Sequence, residues 1–288
     1  MERWITYKIE EPADILHFLK GKQGYSARLI TALRKSENGI LLNGEKAKTT
    51  ALLQRGDVLE IHIPLGTSEI PPVALPLEVL YEDEDVLVIN KPAFLVCHPT
   101  RNHQGDTLAN AVAFYLQQQG KSCTFRAVNR LDRDTTGLVV IALHRLAADK
   151  LRKTVQKTYF ALVQGCVRES GTIDLPIERV DARKILRRVG EQGQRAVTHY
   201  EVVKAGENAS LLKIRLETGR THQIRVHFAH IGHPLVGDTM YGTASVLIAH
   251  QCLHCGEMRF LQPVTGEPIC LQSAPPWEDL VGMTLVQE

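Results

Sequence analysis

Residues 129–136, near the middle of the chain, bring together charged and hydroxyl groups that could do chemistry. They read Asn-Arg-Leu-Asp-Arg-Asp-Thr-Thr, and the apolar run Leu138–Leu143 follows them. Asp132 stands between Arg130 and Arg133, and neighbouring positive charge favours the ionised form of a carboxyl group. A fixed, ionised carboxylate can act as a nucleophile. An ion-paired structural turn explains the same spacing, and these residues alone leave both interpretations open.

A phosphohydrolase is an alternative for the same residues. Asp132, Asp134 and Thr135 match the Asp-x-Asp-x-Thr pattern of the haloacid-dehalogenase-like phosphohydrolases, in which the first aspartate takes a phosphoryl group beside a magnesium ion. In that family the pattern follows a buried apolar strand. Here the apolar run comes after the pattern, and this order argues against a magnesium phosphohydrolase.

A second dense polar cluster lies at residues 217–227. The alternation after His222 predicts a strand over Gln223–Phe228, with Arg225 on its polar face and Ile224 on its apolar face. An arginine on a half-buried strand is available to hold a partner carboxylate, and Asp132 is the obvious candidate. The histidines of this region match no common zinc-ligand spacing, so no metal site is expected.

Two further patterns have both structural and functional interpretations. The single Cys-x-x-Cys, Cys252 to Cys255, lacks the second pair of ligands that a structural zinc site needs, which favours packed thiols. A basic run between Pro176 and Gly190 is either solvated surface or a loop that contacts phosphates. Its members are Arg179, Arg183, Lys184, Arg187 and Arg188.

The elements around these clusters predict an α+β fold. Apolar patterning predicts strands over Val86–Ile89, Leu138–Leu143, Tyr159–Val163, Thr198–Val203 and Leu211–Glu217, and helices over Thr107–Leu116 and Arg145–Val155. The chain shows no regular βαβ alternation and no glycine-rich phosphate loop. A mixed, mostly antiparallel sheet with flanking helices fits this order of elements.

The first 63 residues predict a separate small α/β domain. A helix opens at Ser26, an Asn43-Gly44 hairpin turn follows, and a strand covers Val58–Ile63. Residues 64–76 contain four prolines and are predicted to be a linker, which leaves a large domain over residues 77–288. Residues 11–63 resemble the small RNA-binding module first described in ribosomal protein S-four, although a generic α/β cap fits too. The resemblance implies phosphate contacts by Arg28, Arg34 and Lys35.

Composition indicates the cellular compartment of the protein more clearly than it indicates the function. The 288 residues carry a formal net charge of only +2, so any nucleic-acid surface must be a local patch. No apolar run approaches the length of a membrane span, and the first residues lack the apolar core of a signal peptide. The six cysteines are scattered, which predicts reduced thiols in a cytoplasmic protein. We expect a monomer.

Four segments occur in the order typical of one family. They are residues 88–92 with His98-Pro99 shortly after, residues 130–137, residues 157–163, and residues 218–242. Together, over about residues 78–279, they resemble the RluA-type RNA pseudouridine synthases, in which a front RNA-binding module is common. The resemblance implies conversion of specific uridines of structured ribosomal or transfer RNA to pseudouridine, by base flipping and without a cofactor. A catalytically idle RNA-binding protein on the same fold is the alternative.

The resemblance also assigns roles. It implies that Asp132 is the catalytic aspartate, that Tyr159 is the active-site tyrosine and that Arg225 is the arginine paired with the aspartate. It places Arg130 in the space of the flipped base and Ile224 in the wall of the base pocket. The predicted RNA-binding set is Asn129, Arg130, Arg220, His222, Ile224, Arg28, Lys184, Arg187 and Arg188. Asn129 stands where the family usually has histidine.

Overall fold

The computed structural model describes residues 2–64, 66, 68–181 and 185–280. The strands are β1 (Glu2–Lys8), β2 (Ala13–Asp14), β3 (Ile40–Leu42), β4 (Glu45–Lys46), β5 (Leu52–Leu53), β6 (Val58–Pro64), β7 (Glu78–Glu82), β8 (Val86–Lys91), β9 (Thr136–Ala142), β10 (Gln156–Gln164), β11 (Gly171–Asp174), β12 (Ile177–Arg179), β13 (Arg187–Val189), β14 (Val197–Ala205), β15 (Ala209–Leu216), β16 (Leu253–Leu261) and β17 (Pro268–Gln272). The helices are α1 (Ile15–His17), which continues into a wider helical turn over Phe18–Lys22, α2 (Ala27–Lys35), α3 (Leu108–Gln118), α4 (Arg145–Thr154) and α5 (Gln223–His230). In this part of the chain no helix combines the length and the apolarity needed to cross a membrane.

One large sheet forms the centre of the molecule. Its strands follow the order β11-β14-β15-β10-β16-β9-β8-β7, and β17 adds to β16. Neighbouring strands run antiparallel except β9 and β16, which are parallel. The mixed, mostly antiparallel α+β architecture predicted from the sequence is therefore confirmed.

The front of the chain forms its own four-stranded sheet, in the order β1-β6-β3-β4. Asn43 and Gly44 both have positive φ, 53° and 84°, as the tight two-residue hairpin turn between β3 and β4 requires. The α2 helix begins at Ser26, whose side chain accepts a hydrogen bond from the backbone N–H of Leu29. The predicted helix and hairpin are confirmed.

The front sheet and the large sheet each have a hydrophobic core, and residues beyond the front sheet contribute to the front core. The front core contains the buried side chains of Ile5, Leu33 and Ile61, while Leu146 of α4 and the partly buried Val264 also pack against it. The larger core lies around β8, β9 and β10. This separation supports the predicted division at residues 64–76, which remains a proposal.

The predicted strand over Gln223–Phe228 is wrong, because these residues form α5. Apolar residues at every second position cannot by themselves distinguish a strand from a short buried helix, and residues 223–228 are all buried. Local hydrogen bonds favour the helix. The Gln223 side-chain carbonyl accepts hydrogen bonds from the Thr218 hydroxyl and the Arg220 backbone N–H, which folds the chain into its first turn.

Candidate active site

The two polar clusters of the sequence meet in one open pocket of about 680 Å³. Its walls come from the loop before β9, the start of β10, the end of β15 and the start of α5. The lining includes all three predicted catalytic residues, Asp132, Tyr159 and Arg225. Of the predicted RNA-binding residues it includes Asn129, Arg130, Arg220, His222 and Ile224.

Close backbone packing fixes the loop that carries Asp132. Gly137 has φ +109° at the start of β9, and a Cβ built there would lie 2.3 Å from the backbone oxygen of Cys255 on β16. Only glycine suits this approach. The loop enters β9 through a turn, in which the backbone N–H of Thr135 donates to the carbonyl of Asp132.

Two buried side chains, Lys91 and Cys97, bind the backbone of the same loop. The Lys91 ammonium donates to the carbonyl oxygens of Pro92, Leu95 and Arg133 at 2.7, 2.8 and 3.0 Å. The Cys97 thiol is 3.4 Å from both the backbone N and the backbone O of Leu131. Burial lowers the pKa of Lys91 to about 8. The loop around Asp132 is thus anchored at the residues on either side of the aspartate.

Arg225 links two aspartates. It forms a two-pronged pair with buried Asp238, with Nε–Oδ2 at 2.7 Å and Nη2–Oδ1 at 2.8 Å. Its remaining terminal nitrogen, Nη1, lies 3.4 Å from Oδ2 of Asp132. Asp238 therefore orients the guanidinium, and the looser contact with Asp132 is the one that faces the pocket. The predicted contact between Arg225 and Asp132 is present, although a helix rather than a strand presents the arginine.

His222 also faces Asp132. Its Nε2 lies 3.9 Å from Oδ2 of Asp132, and its Nδ1 lies 2.7 Å from the hydroxyl of Tyr241. The side chain is 4 % exposed, and burial lowers its pKa below the ordinary value. At neutral pH this imidazole is uncharged.

Tyr159 lies on the pocket wall in the middle of the sheet. It pairs with Ile214 of β15 and with Cys255 of β16, next to an irregularity in the register after Thr158. Burial, Cys255 and the negative charge of Asp132 raise the pKa of Tyr159 well above its ordinary value, so the phenol stays neutral. Its hydroxyl has no hydrogen-bond partner among residues 2–64, 66, 68–181 and 185–280, which leaves it available to a ligand.

Comparison with known proteins identifies the family. A model of the RNA pseudouridylate synthase family matches residues 85–230. The RNA pseudouridine synthase YhcT of Bacillus subtilis, which is described as uncharacterized, is 42% identical over 252 residues that cover 84% of this chain and 83% of that protein. The chain belongs to the RluA-type RNA pseudouridine synthase family. It is an RNA pseudouridine synthase, an isomerase.

Two further relatives agree. The ribosomal large subunit pseudouridine synthase D of Xanthomonas campestris pv. campestris is 40% identical over 260 residues, covering 83% of the synthase described here and 78% of the relative. The solved structure of human RNA pseudouridylate synthase domain containing 1 superimposes with a TM-score of 0.59 at 27% identity, over 76% of this synthase and 93% of that chain.

Asn129 of the synthase uses both ends of its side chain on the backbone. Its Nδ2 donates to the carbonyl of Leu138 at 3.0 Å, and its Oδ1 accepts from the N–H of Val140 at 2.9 Å. It ties the loop before Asp132 to β9. Its RNA contact stays a prediction, and the polar atoms needed for one are already engaged.

Basic side chains surround the pocket mouth. Arg130 is exposed and forms no hydrogen bond or ion pair with any residue that the structure describes. Lys157, Arg215 and Arg220 also line the pocket. Sequence reasoning missed Lys157 and Arg215. Lys157 had a readable signal, because it stands two residues before Tyr159 on one strand and so shares its face.

The other predicted RNA-binding residues do not line the pocket. Arg28 lies exposed on α2 of the front sheet, and Lys184 lies outside the described residues. Arg187 and Arg188 lie on β13, where the Arg188 side chain pairs with Glu178 at 2.8 Å. The backbone N–H of Arg187 donates to the Tyr241 hydroxyl at 3.0 Å, so β13 is attached to the active site through its main chain. Their RNA contacts stay predictions.

The residues that suggested a phosphohydrolase or a zinc site are arranged differently from either site. Asp134 forms a two-pronged pair with Arg133 at 2.6 and 2.9 Å instead of joining Asp132. Cys252 and Cys255 are buried free thiols. Within the described ranges no group of three or more histidine, cysteine, aspartate or glutamate side chains is arranged to hold a metal ion.

Proposed function

We propose that the synthase converts specific uridines of ribosomal RNA to pseudouridine, with Asp132 as the reacting group. One observation carries the assignment of Asp132. Its side chain is 22 % exposed at the pocket, Arg225 holds its Oδ2, and its Oδ1 has no hydrogen-bond partner in the part of the chain that the structure describes. A held carboxylate with one free oxygen suits reaction with a sugar carbon or proton.

The geometry supports a sequence of steps. The target uridine leaves its stack, which costs a few kcal/mol that contacts with the protein must offset. Arg130, free at the pocket mouth, takes the place of the departed base. Asp132 then either attacks the ribose C1′ or removes a sugar proton, and the glycosidic bond to N1 breaks. The uracil turns and its C5 bonds to C1′, which breaks the bond from Asp132 to C1′ or, on the other route, returns the abstracted proton from Asp132 to the sugar. Loss of the C5 proton and protonation of N1 then give pseudouridine.

Arg225 and Tyr159 support these steps in different ways. The guanidinium faces Asp132 in a largely buried setting, where electrostatic interactions are stronger than in water. The neutral ring of Tyr159 packs against the uracil. Its free hydroxyl lies on the pocket wall, where it can assist loss of the C5 proton once the new bond has formed.

The choice of ribosomal RNA rests on a relative. The Xanthomonas protein with 40% identity is named for the large ribosomal subunit. The basic rim of Arg130, Lys157, Arg215 and Arg220 suits the phosphates that flank a flipped nucleotide. We propose that Arg28 and the β12–β13 hairpin extend this surface, since both present exposed basic side chains.

The setting is also a proposal. All six cysteines are free thiols, as expected in a reducing compartment such as the cytoplasm. We propose that the synthase acts there as a monomer with two domains, the first RNA-binding and the second catalytic. Sedimentation of the purified protein with and without RNA tests the oligomeric state.

The decisive experiment measures release of tritium from C5-labelled uridine in large-subunit ribosomal RNA and tRNA transcripts, followed by mapping of the modified position. Wild-type protein should release label from ribosomal RNA, and Asp132→Asn should not. Release from tRNA alone would replace the proposed substrate. A folded wild-type protein that releases label from neither RNA would overturn the function.

A further inference from the structure

His222 has a backbone conformation that residues other than glycine rarely adopt. Its φ and ψ are 59° and 20°, in the left-handed region, although it immediately precedes α5. Its side chain caps no backbone N–H of that helix. Strained residues of this kind persist where surrounding contacts fix them, and they cluster at functional sites. Here the conformation turns the imidazole towards Asp132.

The hydrogen bonds of Tyr241 define which nitrogen of His222 carries the proton. The Tyr241 oxygen accepts from the backbone N–H of Arg187 at 3.0 Å, and that amide can only donate. In the described part of the chain the other hydrogen-bond partner of this hydroxyl is Nδ1 of His222, at 2.7 Å. Nδ1 is the acceptor that the described residues offer to the hydroxyl proton, so we assign the hydroxyl as the donor and Nδ1 as the acceptor. The neutral imidazole then carries its own proton on Nε2, which faces Asp132.

Both groups that approach Asp132 meet the same oxygen. Arg225 Nη1 lies 3.4 Å and His222 Nε2 lies 3.9 Å from Oδ2. These contacts are long, as active-site contacts often are before substrate binds, and they can tighten in the complex. Oδ1 has no such neighbour among the described residues.

We infer that His222 is a positioning residue: its Nε2–H, together with Arg225, holds Oδ2 of Asp132, so that Oδ1 is the oxygen that reacts. This inference rests on the proposed role of Asp132. It replaces the predicted RNA contact of His222 with a contact to the reacting group, and it makes a neutral imidazole necessary for turnover.

The charges around His222 act in opposite directions. Asp132 and Asp238 favour its protonation, whereas burial, Arg225 and Arg187 oppose it, and Tyr241 occupies Nδ1. A protonated imidazole would form an ion pair with Asp132 and weaken the carboxylate as a nucleophile or base. Burial lowers the pKa of His222 below the ordinary histidine value of about 6.5, so activity should stay level at that pH and fall only at lower pH.

Two substitutions separate the two ends of the imidazole. The amide nitrogen of glutamine in His222→Gln reaches towards the place of Nε2, so it can still donate to Asp132 but cannot become charged. The shorter side chain in His222→Asn reaches only the place of Nδ1, and asparagine tolerates left-handed backbone well. With the transcript that wild type modifies, we expect kcat to fall about 100-fold in His222→Asn and less than about 10-fold in His222→Gln.

The pH profile and KM give the independent readout. His222→Gln should keep its plateau to lower pH than wild type, and KM should change little in either variant. A raised KM with unchanged kcat, or an acid limb at the same pH in His222→Gln as in wild type, would overturn the inference. If neither variant folds, Tyr241→Phe decides, because losing the donor to Nδ1 should lower kcat several-fold, and an unchanged kcat would refute the role. Inactive wild type would instead refute the proposed function.

Discussion

Two aspartates in this molecule have similar neighbours, and we propose opposite roles for them. Asp132 in the pocket and Asp85 immediately before β8 each lie beside an arginine and a histidine. The side chain of Asp132 is 22 % exposed and its neighbours lie 3.4 and 3.9 Å away. That of Asp85 is 1 % exposed, and its neighbours lie at 2.7 Å.

The hydrogen bonds of Asp85 are complete. Arg3 donates to both of its oxygens, His144 donates from Nε2, and the Gln262 amide donates at 2.7 Å. His144 has its Nδ1 occupied by the N–H of Ala147, which places its proton on Nε2. Burial alone would raise the pKa of Asp85, but the hydrogen bonds from His144, Arg3 and Gln262 hold it far below its ordinary value.

The two carboxylates differ in how many of their hydrogen-bond positions are filled, not in the types of residue beside them. We propose that this difference distinguishes the structural carboxylate from the reactive one. Asp85 has no capacity left for a ligand, and it fastens β1 of the front sheet, through Arg3, to the large sheet. Asp132 has an unpartnered oxygen facing a pocket, within the part of the chain that the structure describes. Substitutions at the two sites should therefore affect different measurements.

The largest expected effect is on turnover in Asp132→Asn. Loss of the reacting carboxylate should lower tritium release by a factor of about 10⁴ or more. Because Asp132 is partly exposed and loosely paired, the free energy of unfolding should change by less than about 1 kcal/mol. Asp134→Asn, which removes the neighbouring carboxylate, is the control and should retain turnover. Normal activity in Asp132→Asn would show that Asp132 is not the reacting group.

Asp85→Ala should show the opposite pattern. Removing the carboxylate leaves Arg3 without a partner for its buried contact, and the loss of stability should be about 3–5 kcal/mol. Tritium release per folded molecule should stay within a few-fold of the wild-type value. Glu84→Ala is the matched control, because Glu84 also pairs with Arg3 but its side chain is 76 % exposed. Urea unfolding and activity of the same samples test this, and equal stability of the two variants would contradict it.

Arg225→Lys tests the arginine that contacts both the buried Asp238 and the pocket-facing Asp132. Lysine keeps the charge but cannot form the two-pronged pair with Asp238 and reach Asp132 at once. We expect kcat to fall about 100-fold. Arg195→Lys, at an exposed surface arginine paired with Asp174 and Glu217, is the control and should leave kcat unchanged. A fall in Arg225→Lys that appears only in KM would mean that Arg225 binds RNA rather than orienting Asp132.

Sequence patterns indicated the proposed reacting group better than the residues that support it. Asp132, Tyr159 and Arg225 were readable because the polar residues stand in dense clusters between apolar runs. Asp238, which orients Arg225, and Lys91, which holds the loop, were not identified as supports. Their partners are distant in sequence or are backbone carbonyls, and neither leaves a residue pattern. The strand predicted for α5 failed because six consecutive buried residues hide the helical period.

Asn129→Ala tests the same distinction at a residue close to Asp132. Both polar atoms of the Asn129 side chain have hydrogen-bond partners, so we expect its role to be structural. The substitution leaves the buried carbonyl of Leu138 and the N–H of Val140 without their side-chain partner, which should cost about 1–3 kcal/mol. The kcat of the folded variant and its affinity for RNA should stay within a few-fold of wild type. Weaker RNA binding at unchanged stability would instead assign Asn129 to the RNA surface.

The smallest expected effect is on the pH dependence of the free energy of unfolding in acid, and it is the effect most specific to Asp85. The folded-state pKa of Asp85 lies below its unfolded value, so its stabilisation is fully present above about pH 4 and is lost as pH falls towards the folded value. Over that interval the unfolded chain binds a proton that the folded chain does not, which costs up to about 1.4 kcal/mol per pH unit. Urea unfolding between pH 5 and 3 should therefore have a steeper pH slope in wild type than in Asp85→Ala. Equal slopes in wild type and Asp85→Ala would show that the buried network contributes no proton-linked stability.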